Sequence, residues 1–156
     1  ESDVYMKHEQ MITFSHNYSA ILLTYTVKNS TVKKFLSYNQ LTNSKTGAPP
    51  TTTPSDIAEY FEKLYKGQLV SSEASSKMLE ILKRQKINDR IPKYLPESTV
   101  IAHKTGELFG VKHDAGIVFS EKGDYIIVLM SDTASEAHAA EVEAKISKVV
   151  WEHFEK

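Results

Sequence analysis

Val100-Ile101-Ala102-His103-Lys104-Thr105-Gly106 is the stretch on which the fold turns: a β-strand that ends in a lysine, a hydroxyl and a glycine. Val100 and Ile101 are β-branched and Pro96 stands just upstream. Two more strand-like runs follow, Ala115 to Phe119 and Tyr125 to Met130. The connections, Glu107 to Gly110 and Glu121-Lys122-Gly123-Asp124, are short enough to predict an antiparallel meander. A strand edge carrying Lys-Thr-Gly suits an anion, because it offers an ammonium, a hydroxyl and a residue without a side chain. The tripeptide alone is weak evidence. A second copy, Lys45-Thr46-Gly47, runs into Ala48-Pro49-Pro50 and reads as a loop.

Downstream of the strands, Thr133-Ala134-Ser135-Glu136 has the capping-box pattern. Val142, Ile146, Val149, Val150 and Phe154 then line one face of a closing helix, which is expected to cover the sheet with Trp151 and Phe154 in the core. Upstream, Ser71 or Ser72 opens a helix with Ala74, Met78, Ile81 and Leu82 inward. Thr53-Pro54-Ser55-Asp56 is a strong helix start, followed by an apolar face of Ile57, Phe61, Leu64 and Tyr65 and a stop at Gly67. Asn39 to Thr53 is mostly turn chemistry. Asn29 or Ser30 caps a short helix bearing Val32, Phe35 and Leu36. Ala20 to Leu23 is apolar on every side, a helix expected to be enclosed. Val4, Tyr5, Met11 and Ile12 predict a first helix that ends near Thr13. The fold class is therefore α+β in one domain, helical to about residue 96, with sheet and closing helix over about 97–156.

One run does not fit a self-contained unit. Tyr125-Ile126-Ile127-Val128-Leu129-Met130 is continuously apolar, the pattern of a strand with neighbours on both sides, yet it would be an edge of the meander. Either further strands lie before Glu1 or a second chain supplies them.

Composition narrows the function classes. With 19 basic and 20 acidic residues the net charge is −1, and no basic stripe recommends nucleic acid or an anionic membrane. There are no cysteines, so thiolate and disulfide chemistry are excluded. No run is long enough for a membrane span and no signal peptide is visible.

Three features converge in order: Met11-Ile12-Thr13-Phe14-Ser15-His16-Asn17 at a helix junction, Thr51-Thr52-Thr53-Pro54 opening a helix, and His103-Lys104-Thr105-Gly106 followed by His113-Asp114-Ala115-Gly116. From about Met6 to its end the chain resembles the class A β-lactamase and penicillin-binding serine hydrolase superfamily, most of all its members that lack the lactamase Ω-loop. The resemblance implies acyl transfer from a β-lactam or a D-alanyl peptide amide, with no cofactor, in an exported bacterial protein of the periplasm or cell envelope. It implies that Ser15 relays a proton to the leaving nitrogen and that Asn17 holds a substrate amide. Lys104 and Thr105 would bind the substrate carboxylate, Gly106 would leave room for the ligand, and the Glu107 N–H would serve the oxyanion.

The departures carry expectations too. His16 replaces the usual aspartate and is expected to brace the loop. Too few residues separate Asn17 from Thr51 for an Ω-loop, and no Glu-x-x-x-Asn positions a deacylating water. The nucleophilic Ser-x-x-Lys that precedes the Ser-x-Asn motif is not found upstream of Ser15. Ser30-Thr31-Val32-Lys33 has the spacing but the wrong order, and coincides with a helix cap. The expectation is a C-terminal portion of the fold, with the nucleophile helix and first strands before Glu1, inactive by itself. A non-catalytic module binding peptidoglycan or β-lactams is the alternative. His103 and His113 lack companions at ligand spacing and are read as structural, with no metal, and Asp114 as a brace.

Overall fold

The computed structural model describes residues 2–156. Five helices come first: α1 (Ser2–Thr13), α2 (Asn17–Val27), α3 (Asn29–Tyr38), α4 (Pro54–Tyr65) and α5 (Ser72–Leu82). Three strands follow, β1 (Val100–Leu108), β2 (Val111–Phe119) and β3 (Tyr125–Asp132), and α6 (Glu136–Phe154) closes the chain. Among the described residues the sheet is antiparallel in the order β1-β2-β3, so the expected α+β meander is present. The first hairpin is tighter than the turn residues imply. β1 runs on to Leu108 and β2 begins at Val111 rather than Ala115, with only Phe109 and Gly110 between them and Gly110 at φ 81°.

Pairing sets the two faces. Lys104 lies opposite Ala115, Thr105 opposite Asp114 and His103 opposite Gly116, and β3 joins with Val128 opposite Ala115. Because side chains alternate, Ala102, Lys104, Ala115, Ile117 and Val128 face the N-terminal helices. There Phe61, Leu64, Leu69 and Leu82 complete one core. Ile101, Val118, Tyr125 and Ile127 face the other way, onto Ile91, Leu95 and the α6 residues Val150 and Trp151. Leu64 and Leu69 are wholly buried, each stabilising the fold by about 1.5–3 kcal/mol relative to exposure.

Several local readings change. α6 does not turn Val142, Ile146 and Val149 inward: these are 39%, 43% and 65% exposed, while Ala140, Ala144 and Ser147 are buried. Small residues let the helix come close to the sheet, and Ser147 Oγ reaches the Ile91 carbonyl at 2.8 Å. The capping box fails as well. Ser135 is the N-cap without a side-chain bond, and Thr133 Oγ1 accepts from the Ser135 N–H instead. At α3 the N-cap is Lys28, at φ 64°, rather than Asn29 or Ser30. α2 is not enclosed by the described residues, since Leu23 and Ser19 are buried but Ile21 and Tyr25 are exposed. Thr53 does cap α4 through the Asp56 N–H, and Ser71 caps α5 through the Ala74 N–H. No helix of the described residues is long and apolar enough to cross a membrane.

Candidate active site

The site forms where the end of α1 meets the middle of β1. α1 stops at Thr13, and the chain turns through Ser15 at φ 52°, a left-handed conformation that costs a non-glycine residue energy and is held only by its surroundings. Those surroundings are specific. The N–H groups of Phe14 and His16 both donate to the Gln10 carbonyl. Gln85, itself buried, donates from Nε2 to the Ile12 carbonyl at 2.7 Å, and the Lys86 N–H donates to the Thr13 carbonyl at 2.9 Å. His16 caps α2, its Nδ1 accepting the Ser19 N–H at 3.4 Å and lying 2.8 Å from Ser19 Oγ. Ser19 Oγ donates in turn to Gln10 Oε1 at 3.1 Å. His16 therefore braces the loop as the N-cap of α2.

Lys104 reaches this turn from the sheet. Its ammonium donates to Ser15 Oγ and, at 2.6 Å, to the Thr105 carbonyl. Burial pulls Lys104 below the ordinary lysine pKa; Asp114 and Glu107 oppose that shift, and Arg90 adds to it. An apolar cavity of about 280 Å³ opens between the lysine and the helices, lined by Ile12, Ile57, Tyr60, Leu82 and Met130 among others. A desolvated cation at such a wall attracts an anion more strongly than the same lysine in water.

The other candidates distribute as follows. Thr105 is 5% exposed and alternates to the opposite face of β1 from Lys104. Gly106 shares the lysine's face, and a Cβ there would meet only His113, at 3.7 Å, so the described residues leave the glycine's surface open. Asn17 is exposed at the first turn of α2. The Glu107 carboxylate accepts from Lys112 Nζ at 2.6 Å and from the wholly buried Arg90, and these bonds, that from Lys112 above all, hold its pKa below the usual range. Ser30 and Lys33 are both exposed at the start of α3, and Lys45-Thr46-Gly47 lies in the loop before α4, with Lys45 bridged to Thr51.

Behind β1, His103 and Asp114 are the structural residue and the brace expected from the sequence, in a layer whose partners spacing did not name. Asp114 accepts His103 Nδ1 at 2.9 Å and the Ile91 N–H at 3.1 Å, and His103 Nε2 meets Asn88 Oδ1 at 3.1 Å. Gly116, directly opposite His103, has no room for a side chain: a Cβ would stand 2.4 Å from the Ala102 carbonyl oxygen and 2.5 Å from His103 Cβ. Glu143 on α6 is buried, accepts the Ser131 hydroxyl at 3.1 Å, and is pushed up to about 7 by burial. The alternation of His103 and Lys104 puts them on opposite faces of β1, but pairing across strands cannot be read from spacing alone.

Comparison with known proteins gives the family and the fold. A family model described as the Beta-lactamase enzyme family matches residues 7–154. Among solved structures, the β-lactamase of Sphaerobacter thermophilus superposes with a TM-score of 0.90 at 22% identity, over 96% of this chain and 62% of that one. PBP-A superposes at 0.91 with 25% identity, over 97% of this chain and 61% of its own. A mutant of PBP-A, solved as an acyl-enzyme complex with penicillin G, gives 0.89 at 26% identity, over 97% and 61% of the two chains. The chain thus spans less than two thirds of the length of each of these neighbours. No curated protein sequence matches it.

Proposed function

This chain belongs to the beta-lactamase enzyme family, and on that premise we propose that it carries the carboxylate-binding and proton-relay half of a serine acyl-transfer site. The substrate class is a β-lactam or a D-alanyl peptide, both amides beside a carboxylate, and the setting is the bacterial cell envelope. Lys104 and the Gly106 edge of β1 receive the carboxylate, while the Thr105 side chain lies on the opposite face; Asn17 orients the amide, the Glu107 N–H faces the oxyanion, and Ser15 passes a proton to the leaving nitrogen. The contact between the Lys104 ammonium and Ser15 Oγ is the observation that carries this reading. It joins a cation of lowered pKa to a hydroxyl, the pairing a proton relay needs.

No Ser-x-x-Lys stands ahead of Ser15 in this sequence. Ser30 and Lys33 lie exposed on α3. Slow or absent β-lactam turnover is expected, since the segment from Asn17 to Thr51 offers no glutamate to activate a deacylating water. β3 has an open edge among the described residues, and its apolar run Tyr125 to Met130 calls for a further strand, from the same polypeptide or from a second chain.

Titration calorimetry of the chain with benzylpenicillin and with a D-alanyl-D-alanine peptide tests the reading. Binding that weakens about tenfold or more in Lys104→Met supports carboxylate recognition at β1. Equal binding by the variant, or none by either protein, refutes it. A measurable affinity without any covalent adduct favours the non-catalytic binding module.

A further inference from the structure

The Ser15–Lys104 pair carries more than a relay. We propose that Ser15 is itself a nucleophile in this chain, with Lys104 as its base, so that the 156 residues alone form a Ser–Lys dyad toward small activated acyl or phosphonyl donors. The proposal rests on the same site as the preceding reading but asks for no carboxylate and no other serine.

Four observations point there. The lysine ammonium and the serine oxygen are in direct contact across 89 residues of sequence. Ser15 is only partly buried and sits at φ 52°, so that a strained turn presents its hydroxyl. The N–H groups of Asn17 and Tyr18, at the head of the 11-residue α2, have no acceptor among the described residues. Finally, the charged and titratable groups facing Lys104 are accounted for. His113 of β2 shares its face of the sheet and Tyr60 of α4 lines the same cavity, whereas Asp114, Glu107 and Arg90 act on it from the opposite face. Burial lowers the pKa of Lys104 against the pull of the two carboxylates.

With a fluorophosphonate the step balances as follows. Neutral Lys104 Nζ takes the Ser15 hydroxyl proton, Oγ forms a bond to phosphorus, the P–F bond breaks, and fluoride leaves with its electron pair. The lysine, now an ammonium, returns the proton to solvent.

The experiment is labelling of the full chain with a fluorophosphonate across about pH 6 to 10, read by intact mass and peptide mapping. One adduct is expected, on Ser15, at a rate that rises as Lys104 loses its proton. Labelling should vanish in Ser15→Ala, fall about a hundredfold in Lys104→Arg and stay unchanged in Ser30→Ala. No adduct, an adduct mapped elsewhere, or a Lys104→Arg protein that labels as fast as the parent would overturn the proposal. Should Lys104→Arg not fold, Lys104→Met supplies the test: labelling that falls by a comparable factor supports the dyad, and labelling at the parent rate overturns it. The probe has neither carboxylate nor amide, so failure here leaves carboxylate binding untouched, and the reverse also holds.

Discussion

His103 and Asp114 lie diagonally across neighbouring strands, and their side chains meet at 2.9 Å where both are almost wholly removed from water. The residue directly opposite His103 is Gly116, and the space it leaves empty is where the histidine lies. Behind the lysine of the candidate site there is thus a buried, hydrogen-bonded layer that also holds the Ile91 N–H.

Asp114→Ala should therefore lower stability by about 3 kcal/mol, since it strands His103 Nδ1 and the Ile91 N–H in the interior. Asp114→Asn keeps an acceptor for that N–H and should lose less. Urea unfolding of the two variants measures both, and an unchanged midpoint in the alanine protein would show that the layer contributes nothing.

Gly116→Ala tests the same layer from the backbone side. A methyl group 2.4 Å from the Ala102 carbonyl oxygen cannot be housed without moving β1, so a loss of about 3 kcal/mol or failure to fold is expected. Gly106→Ala, whose Cβ meets only His113 at 3.7 Å, should fold like the parent. Comparing the melting temperatures of the two glycine variants separates a packing glycine from one kept open for a ligand.

Glu143 sets a pH dependence. Burial raises it from 4.5 to about 7 in the folded chain, so between those values the folded state holds a proton that the unfolded state has released. Its contribution is fully present below about pH 4.5 and is lost as pH rises through about 7. Glu143→Gln should flatten this part of the stability curve and be more stable than the parent at pH 8, by about 1 kcal/mol. Thermal melts at several pH values read the effect; parallel curves for the two proteins would refute it.

At the site, Lys104 has a lowered pKa, so its charge is lost at lower pH than that of an ordinary lysine. Affinity for a carboxylate ligand should fall on the alkaline side, beginning below the usual lysine range. Calorimetry of benzylpenicillin binding against pH is the check, with a flat profile up to the ordinary lysine pKa as the contrary result.

His16→Ala removes the cap of α2 and should cost about 1 kcal/mol, while His16→Asp retains an acceptor for the Ser19 N–H and should cost little. A parallel change in penicillin binding is expected only for the alanine variant, through the neighbouring Ser15. Equal melting temperatures for all three proteins would remove His16 from the loop's support.

Much of this was legible in the chain because the signals are local. Thr53 before Pro54 declares a helix start through one hydrogen bond four residues wide, and Val100-Ile101 before Lys104-Thr105-Gly106 declares a strand with a charged end. The order of Ser15-His16-Asn17, Thr51-Thr52-Thr53-Pro54 and Lys104-Thr105-Gly106 was sufficient to indicate the family. What the tertiary structure alone decided depends on distance in space. Val142, Ile146 and Val149 looked inward by hydropathy, but the close approach of a helix to a sheet selects Ala140, Ala144 and Ser147, because backbone proximity outweighs side-chain size there. The sequence by itself determined the elements, their order and the candidate residues. The tertiary structure decided that Lys104 meets Ser15, that His103 is held by Asp114, and that Thr105 turns away from both. Those relations follow from strand register and from how close two elements approach, and neither is encoded in the spacing of one segment.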